Sequence, residues 1–144
     1  MATDKLDLDS LHKALASFDA STALVHDADW LSSQSAVVRD TVIAGAIQNF
    51  EFAYELSVKM LKRQLERDAA TPTEIDESSF RDLLRIAGEK GLIGDVAAWF
   101  GYRQMRNLTA HTYDQAKARQ VLENLPAFAR DAHALAKALA ARNA

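Results

Sequence analysis

The segment AVVRDTVIAGAIQNFEFAYELSVKMLKRQLERD, Ala36 to Asp68, decides how the rest of the chain is read. It contains no Pro, and Gly45 is its only Gly. Val42, Ala46, Phe50, Ala53, Tyr54, Leu61 and Leu65 fall at the three- and four-residue steps of one broad helical face. A helix of that length buries such a face against other helices. Set against it is a polar row, Glu51, Glu55 and Lys59, spaced four apart so that neighbours meet. The row has two readings. It is a solvated stripe with a Glu55–Lys59 ion pair worth tenths of a kcal/mol, or its carboxylates turn inward and orient a cation from another helix, with Arg106 the candidate. The basic end, Lys62, Arg63 and Arg67, suits a helix C-terminus facing the dipole and is a weak attractor for phosphate.

An earlier helix starts near Asp7 or Asp9 and runs towards Asp29. Leu8, Leu11, Leu15, Phe18, Thr22 and Val25 form its stripe. Asp29 to Ser35 breaks the pattern, and Ser33 or Ser35 can cap the long helix. On the other side, Ala69 to Glu77 reads as a loop, with Pro72 disfavouring helix at Thr71. A short helix follows over about 78–90 with Phe80, Leu83, Leu84 and Ala87 inward and Gly91 as its C-cap. Asp95 caps a fourth helix on which Val96, Trp99, Arg103, Arg106 and Ala110 share a face, ending near Thr109 to His111. Thr112 to Asp114 is a turn. Asp114 caps the last helix, which carries Ala118, Val121, Leu122, Leu125, Phe128, Leu135 and Leu139. Pro126 should kink it, and residues 140–144 should fray. The expected fold is all-α: an antiparallel up-and-down bundle of four long helices plus one short, in one domain over residues 1–144.

Bulk properties narrow the function. With 144 residues, 49% apolar and 26% charged, the chain can bury a core as one soluble domain. There is no Cys, hence no disulfide, thiol nucleophile or thiolate metal site. The N-terminus lacks the basic-then-apolar order of a signal peptide. No apolar run approaches the roughly 18 residues of a membrane span. A cytoplasmic protein without membrane contact is expected. The net charge of −3 argues against a wholly basic nucleic-acid binder, so any phosphate-binding surface is local or shared between two chains. His12, His26 and His133 have no metal-ligand spacing, and no P-loop or dinucleotide fingerprint occurs. No cofactor is expected.

Chemistry concentrates in Arg106-Asn107-Leu108-Thr109-Ala110-His111-Thr112-Tyr113. Within one regular helix, five positions rotate a side chain about 140° away, so Arg106 and His111 cooperate only if the helix ends near His111. Asn107, four residues before the His, can fix its tautomer. A His that moves a proton near neutral pH, beside an Arg whose donors match phosphate oxygens, suits phosphodiester chemistry. With RNA, the 2′-OH supplies the nucleophile and no metal is needed. The plainer reading is an Arg paired to a bundle carboxylate and a His closing a helix. Tyr113 either covers the junction or presents a modifiable hydroxyl, with Thr109 and Thr112 as weaker options.

Residues Arg106 to Asp114 resemble the R-x4-H-x-Y signature of the HEPN superfamily, in its HepT-like branch. Val38 to Ile43 running into Asn49 to Leu56, with Lys59, is similar to that branch's second-helix block. Gly91-Leu92-Ile93 and Trp99 match upstream of the Arg-Asn pair. The subfamily is the one labelled nucleotidyltransferase substrate-binding protein. The resemblance implies an all-helical homodimer paired with a minimal nucleotidyltransferase as toxin and antitoxin. It implies that Arg106 and His111 form a metal-independent ribonuclease site in the dimer cleft, supported by Asn107, and that the partner silences it by transferring AMP to Tyr113. Two copies of Arg103 and Arg106 would then supply a basic cleft in an acidic protein. A second function class is a non-catalytic subunit whose Trp99, Arg103, Arg106, Asn107 and His111 face binds a nucleotide for a separate nucleotidyltransferase. A third is a bundle serving only dimerisation.

Overall fold

A computed structural model describes residues 5–144. Residues 1–4, on which the signal-peptide reading largely rests and with which the proposed domain begins, lie outside the described residues. The fold is all-α. Its helices are α1 (Asp9–His26), α2 (Ala28–Ser32), α3 (Ala36–Asp68), α4 (Pro72–Asp76), α5 (Phe80–Glu89), α6 (Val96–Leu108) and α7 (Gln115–Arg142), with a 3-10 turn at Thr109–His111 between the last two. No described helix is long and apolar enough to cross a membrane.

Local chemistry sets the boundaries. Asp95 accepts from the Ala98 N–H and Asp114 from Ala116 and Lys117, as expected, and of the two serines offered for α3 it is Ser35 whose hydroxyl accepts from the Val38 N–H, while Ser33 bonds the Trp30 carbonyl. Gly91 has φ +77, and α5 closes with Gly91 N–H to the Gly88 carbonyl and Leu92 N–H to the Ala87 carbonyl, the paired bonds of a left-handed C-terminal cap. Two short helices replace expected irregular chain. Asp27 leaves the helical region, ending α1 before Asp29, and its carboxylate accepts from Trp30 N–H to start α2. Pro72 occupies the first turn of α4, where its missing N–H is harmless, while Thr71 is extended as the pre-proline restriction requires.

Cross-helix bonds fix the directions. His26 reaches the Leu122 carbonyl and His133 reaches Asp19, so α1 and α7 are antiparallel. Asn143 bonds both Gln64 and the Leu6 N–H, which places the ends of α3 and α7 beside the start of α1. Phe128 on α7 is the hub of the core. The rings of Phe18, Phe50, Trp99 and Tyr102 surround it at centroid distances of 5.4, 4.9, 6.0 and 5.2 Å, all near edge-to-face. Each such pair adds about 1 kcal/mol beyond area burial, and together they join α1, α3 and α6 to α7.

The buried face of α6 is Trp99, Tyr102 and Met105, continued by Thr109 in the 3-10 turn, not the expected Val96–Trp99–Arg103–Arg106–Ala110 stripe. Tyr102 resets the phase. Its ring packs on Phe128 while its hydroxyl bonds Asp131 and lies 3.0 Å from the Ala127 carbonyl. Burial, then the bond to Asp131, hold the phenol well above its ordinary pKa. Arg103 and Arg106 are thereby moved to the edge of the helix interface, and Ala110 is exposed.

Candidate functional site

Arg106 sits in the last turn of α6, against the middle of α3. Its Nη1 is 2.9 Å from Glu51 Oε2 and donates to Thr109 Oγ1 at 3.0 Å. Its Nε and Nη2 both donate to Glu55 Oε1, at 3.0 and 2.7 Å. The Thr109 hydroxyl donates in turn to the Arg106 carbonyl at 2.6 Å. Both carboxylates orient Arg106, Glu51 from a half-buried position and Glu55 from an exposed one, and Glu55 pairs with Arg106 rather than Lys59. The Arg106 side chain is 32% exposed, so its fork is fixed yet reachable from solvent. Two carboxylates around one guanidinium leave the cluster with one net negative charge. Thr109 is committed to this clamp and is not a spare hydroxyl. Its place three residues after Arg106, one helical turn on, was the available signal.

The helix does end before His111, which closes the 3-10 turn and is exposed. Its ring lies edge-on to Tyr113, with centroids 6.0 Å apart. Tyr113 is 84% exposed at the tip of the junction. Within one chain the structure brings Glu51, Glu55, Arg106 and Thr109 together, and His111 beside Tyr113, with no hydrogen bond between Arg106 and His111. Asn107 is exposed and makes no hydrogen bond to His111, because it lies on the outer side of α6. Trp99, expected on a ligand-binding face, is corrected to a core residue. It is 1% exposed and stacks edge-on with Tyr102 and Phe128, leaving no surface for a ligand. Arg103 is exposed, with its guanidinium 4.4 Å from the centroid of Phe80 on α5. Burial raises the pKa of Tyr54, while Arg103 and Arg106 oppose the rise.

Beside this junction, between the first half of α3 and the start of α7, lies a groove of about 480 Å3. Asp40, Ile43, Ala44 and Ile47 line it on one side, Arg119 and Leu122 on the other, with Tyr113 at its margin. Asp40, Ala44, Ile47, Glu51 and Glu55 follow steps of four, three, four and four along α3, which keeps them on one face. The groove is therefore in line with the Arg106 clamp. No cluster of three or more His, Asp or Glu that could hold a metal occurs among the described residues.

Residues 6–141 match the family described as nucleotidyltransferase substrate binding protein like. Over 143 residues the chain is 47% identical to a Haemophilus influenzae protein named "Probable ribonuclease HepT", covering 99% of this chain and 98% of that protein. A solved Haemophilus influenzae structure, described as the fold of a substrate binding domain of a nucleotidyltransferase, aligns with a TM-score of 0.89 at 45% identity, covering 92% of this chain and 98% of that one. A crystal structure from Thermus thermophilus aligns with a TM-score of 0.65 at 28% identity, covering 92% and 97% of the two chains.

Proposed function

The chain belongs to the nucleotidyltransferase substrate binding protein like family, and from that premise we propose that it is a HepT-like toxin: a cytoplasmic, homodimeric, metal-independent endoribonuclease silenced when a minimal nucleotidyltransferase transfers AMP to Tyr113. One HEPN-like domain over residues 1–144 carries the activity. The observation that carries the reading is the clamp of Glu51, Glu55 and Thr109 on Arg106 at a helix end, with His111 and Tyr113 presented to solvent just beyond it. In this mechanism the RNA 2′-OH attacks the adjacent phosphorus, giving a 2′,3′-cyclic phosphate and a 5′-OH end. His111 accepts the proton of the 2′-OH and returns it to the departing 5′-oxygen as the P–O5′ bond breaks, and Arg106 faces the charge that grows on the phosphoryl oxygens. Asn107 and Arg103 extend the polar face, with Glu51 and Glu55 as positioning residues. Dimerisation lets two protomers share one cleft. Val37 and Phe52, 75% and 50% exposed on α3, supply apolar surface for it. AMP on Tyr113 adds charge and bulk beside the cleft, excluding RNA phosphate.

The test is expression without a partner, followed by RNA cleavage with purified protein in chelator. The wild type should arrest growth and leave cyclic-phosphate ends. Arg106→Ala and His111→Ala should each lower cleavage by about 100-fold or more and abolish arrest. His111→Ala is the cleaner variant because that side chain is exposed. Toxicity retained by both would defeat the ribonuclease reading. An active partner should add one AMP unit to wild type and none to Tyr113→Phe.

One observation favours a second reading, a non-catalytic substrate-binding subunit of a two-component nucleotidyltransferase. Two carboxylates already occupy most donors of Arg106. On that reading the purified protein leaves RNA intact while binding its nucleotidyltransferase.

A further inference from the structure

The groove between α3 and α7 has no part in the ribonuclease mechanism, yet it combines features that a nucleotide needs. Its volume of about 480 Å3 lies within the ordinary span of small-molecule sites. Ile43, Ile47 and Leu122 give it an apolar wall, and Ile47 is almost fully buried beneath it. Arg119 and Asp40 bring one cation and one anion to the same cavity, and neither forms an ion pair with a described residue. Tyr113 stands at the margin with most of its ring open to solvent.

We propose that this groove is a binding site for a nucleoside 5′-monophosphate, and that its occupant is the adenylate carried on Tyr113. A purine is flat, apolar on its faces and polar at its edges, so the isoleucine wall can receive one face. The phosphate lies towards Arg119, whose fork matches its oxygens. The ribose hydroxyls donate to Asp40. Because the groove is in line with Glu51 and Glu55, a nucleotide seated there approaches the Arg106 clamp. An adenylate on Tyr113 would thus be a tethered occupant of the approach to the site, not a loose appendage. That the adenylate arrives by transfer to Tyr113 rests on the function proposed above. The affinity of the groove for a free nucleotide does not.

The experiment is titration of the unmodified full chain with AMP, followed by amide chemical shifts and calorimetry. Saturable binding at millimolar or lower AMP is expected, with the largest shifts at Ile43, Ala44, Ile47 and Ala118. Inorganic phosphate and adenosine should each bind at least about fivefold more weakly, since each retains only part of the contact set. Arg119→Ala should weaken AMP by about fivefold or more, as expected for losing a charge-assisted bond. Ala44→Trp fills the groove from an exposed helical position and should abolish binding without unfolding α3. The proposal is overturned by no binding at 10 mM AMP (roughly the weakest affinity worth a site), by unchanged binding in Ala44→Trp, or by phosphate binding as tightly as AMP. Shifts in the groove produced by a short oligouridylate more tightly than by AMP would assign it to RNA and overturn it as well. Failure of a partner to modify Tyr113 would sink the switch but leave this titration as it stands. A failed titration would leave transfer to Tyr113 untouched.

Discussion

Pro126 removes a backbone donor from the middle of α7, and the carbonyl four residues earlier, Leu122, loses its helical partner. His26 supplies the replacement. Its Nε2 lies 3.0 Å from the Leu122 oxygen, so the Nε2-protonated tautomer donates. The ring at the end of α1 thus repairs a defect on α7, and α7 runs unbroken from Gln115 to Arg142. His26→Ala should cost about 0.5–1 kcal/mol, the usual worth of a partly solvated hydrogen bond. In a Pro126→Ala background, where an N–H returns to the helix, the same change should cost close to nothing. Urea denaturation of the four proteins measures the coupling, and equal losses in both backgrounds would refute the repair. The sequence made Pro126 legible as a defect but not its remedy, because His26 lies far away in the chain and only the antiparallel pairing of α1 with α7 brings it there. The Arg106 clamp was more legible. The four-residue spacing of Glu51 and Glu55 put two carboxylates on one side of α3, and Arg106 was the cation in register. Thr109 was missed as a ligand of the Arg, since hydroxyls on helices have many partners and only geometry selects one.

At the scale of elements, the three caps at Ser35, Asp95 and Asp114 could be placed because a capping side chain acts within a few residues of itself. The phase of α6 could not, because Tyr102 is as apolar as its ring and as polar as its hydroxyl. Its burial depends on Asp131 of α7 being there to accept. The crossing of α5 over α6 makes a sharper case. A methyl group added at Gly88 would come within 2.8 Å of Val96 Cγ2. Intrinsic helix propensity favours Ala over Gly by about 1 kcal/mol, whereas overpacking costs about 1–3 kcal/mol. Gly88→Ala should therefore be net destabilising by about 1 kcal/mol, the difference between these effects. With Val96→Ala already in place the clash disappears and the same substitution should become stabilising. A reversal of sign in chemical denaturation is the expected result. Destabilisation in both backgrounds would mean that the close approach is not what holds Gly88.

For the whole molecule, the most informative departure is at the C-terminal end of α7, where fraying was expected. Asn143 is a junction instead. Its Oδ1 accepts from the Leu6 N–H at 2.9 Å, and its Nδ2 donates to Gln64 Oε1 and to the Leu139 carbonyl, both at 2.8 Å. Gln64, almost fully buried, passes the connection on through Nε2 to Asp68 at 3.0 Å, and Arg142 reaches both Asp68 and the Lys90 carbonyl. Leu6, just before α1, and the ends of α3, α5 and α7 are thus fastened at one pole of the bundle, opposite the pole where Tyr113 and the groove lie. Composition concealed this, since an alanine-rich ending with one Asn carries no periodic signal. Its partners come from the two ends of the sequence and from its middle. Asn143→Ala would strand the buried Gln64 carbonyl and should cost about 1–2 kcal/mol, lowering the melting temperature by about 3–6 °C in a chain of this size. Removing residues 141–144 should cost more, because Arg142 is lost as well. Hydrogen exchange supplies the local readout. The Leu6 amide should be protected in the wild type and exchange freely in Asn143→Ala, while amides near Tyr113 at the far pole stay unchanged. An unprotected Leu6 amide in the wild type would show that the clasp does not form in solution. A change at both poles would show that the bundle opens as a single unit, so that fastening one end governs the order of the site at the other.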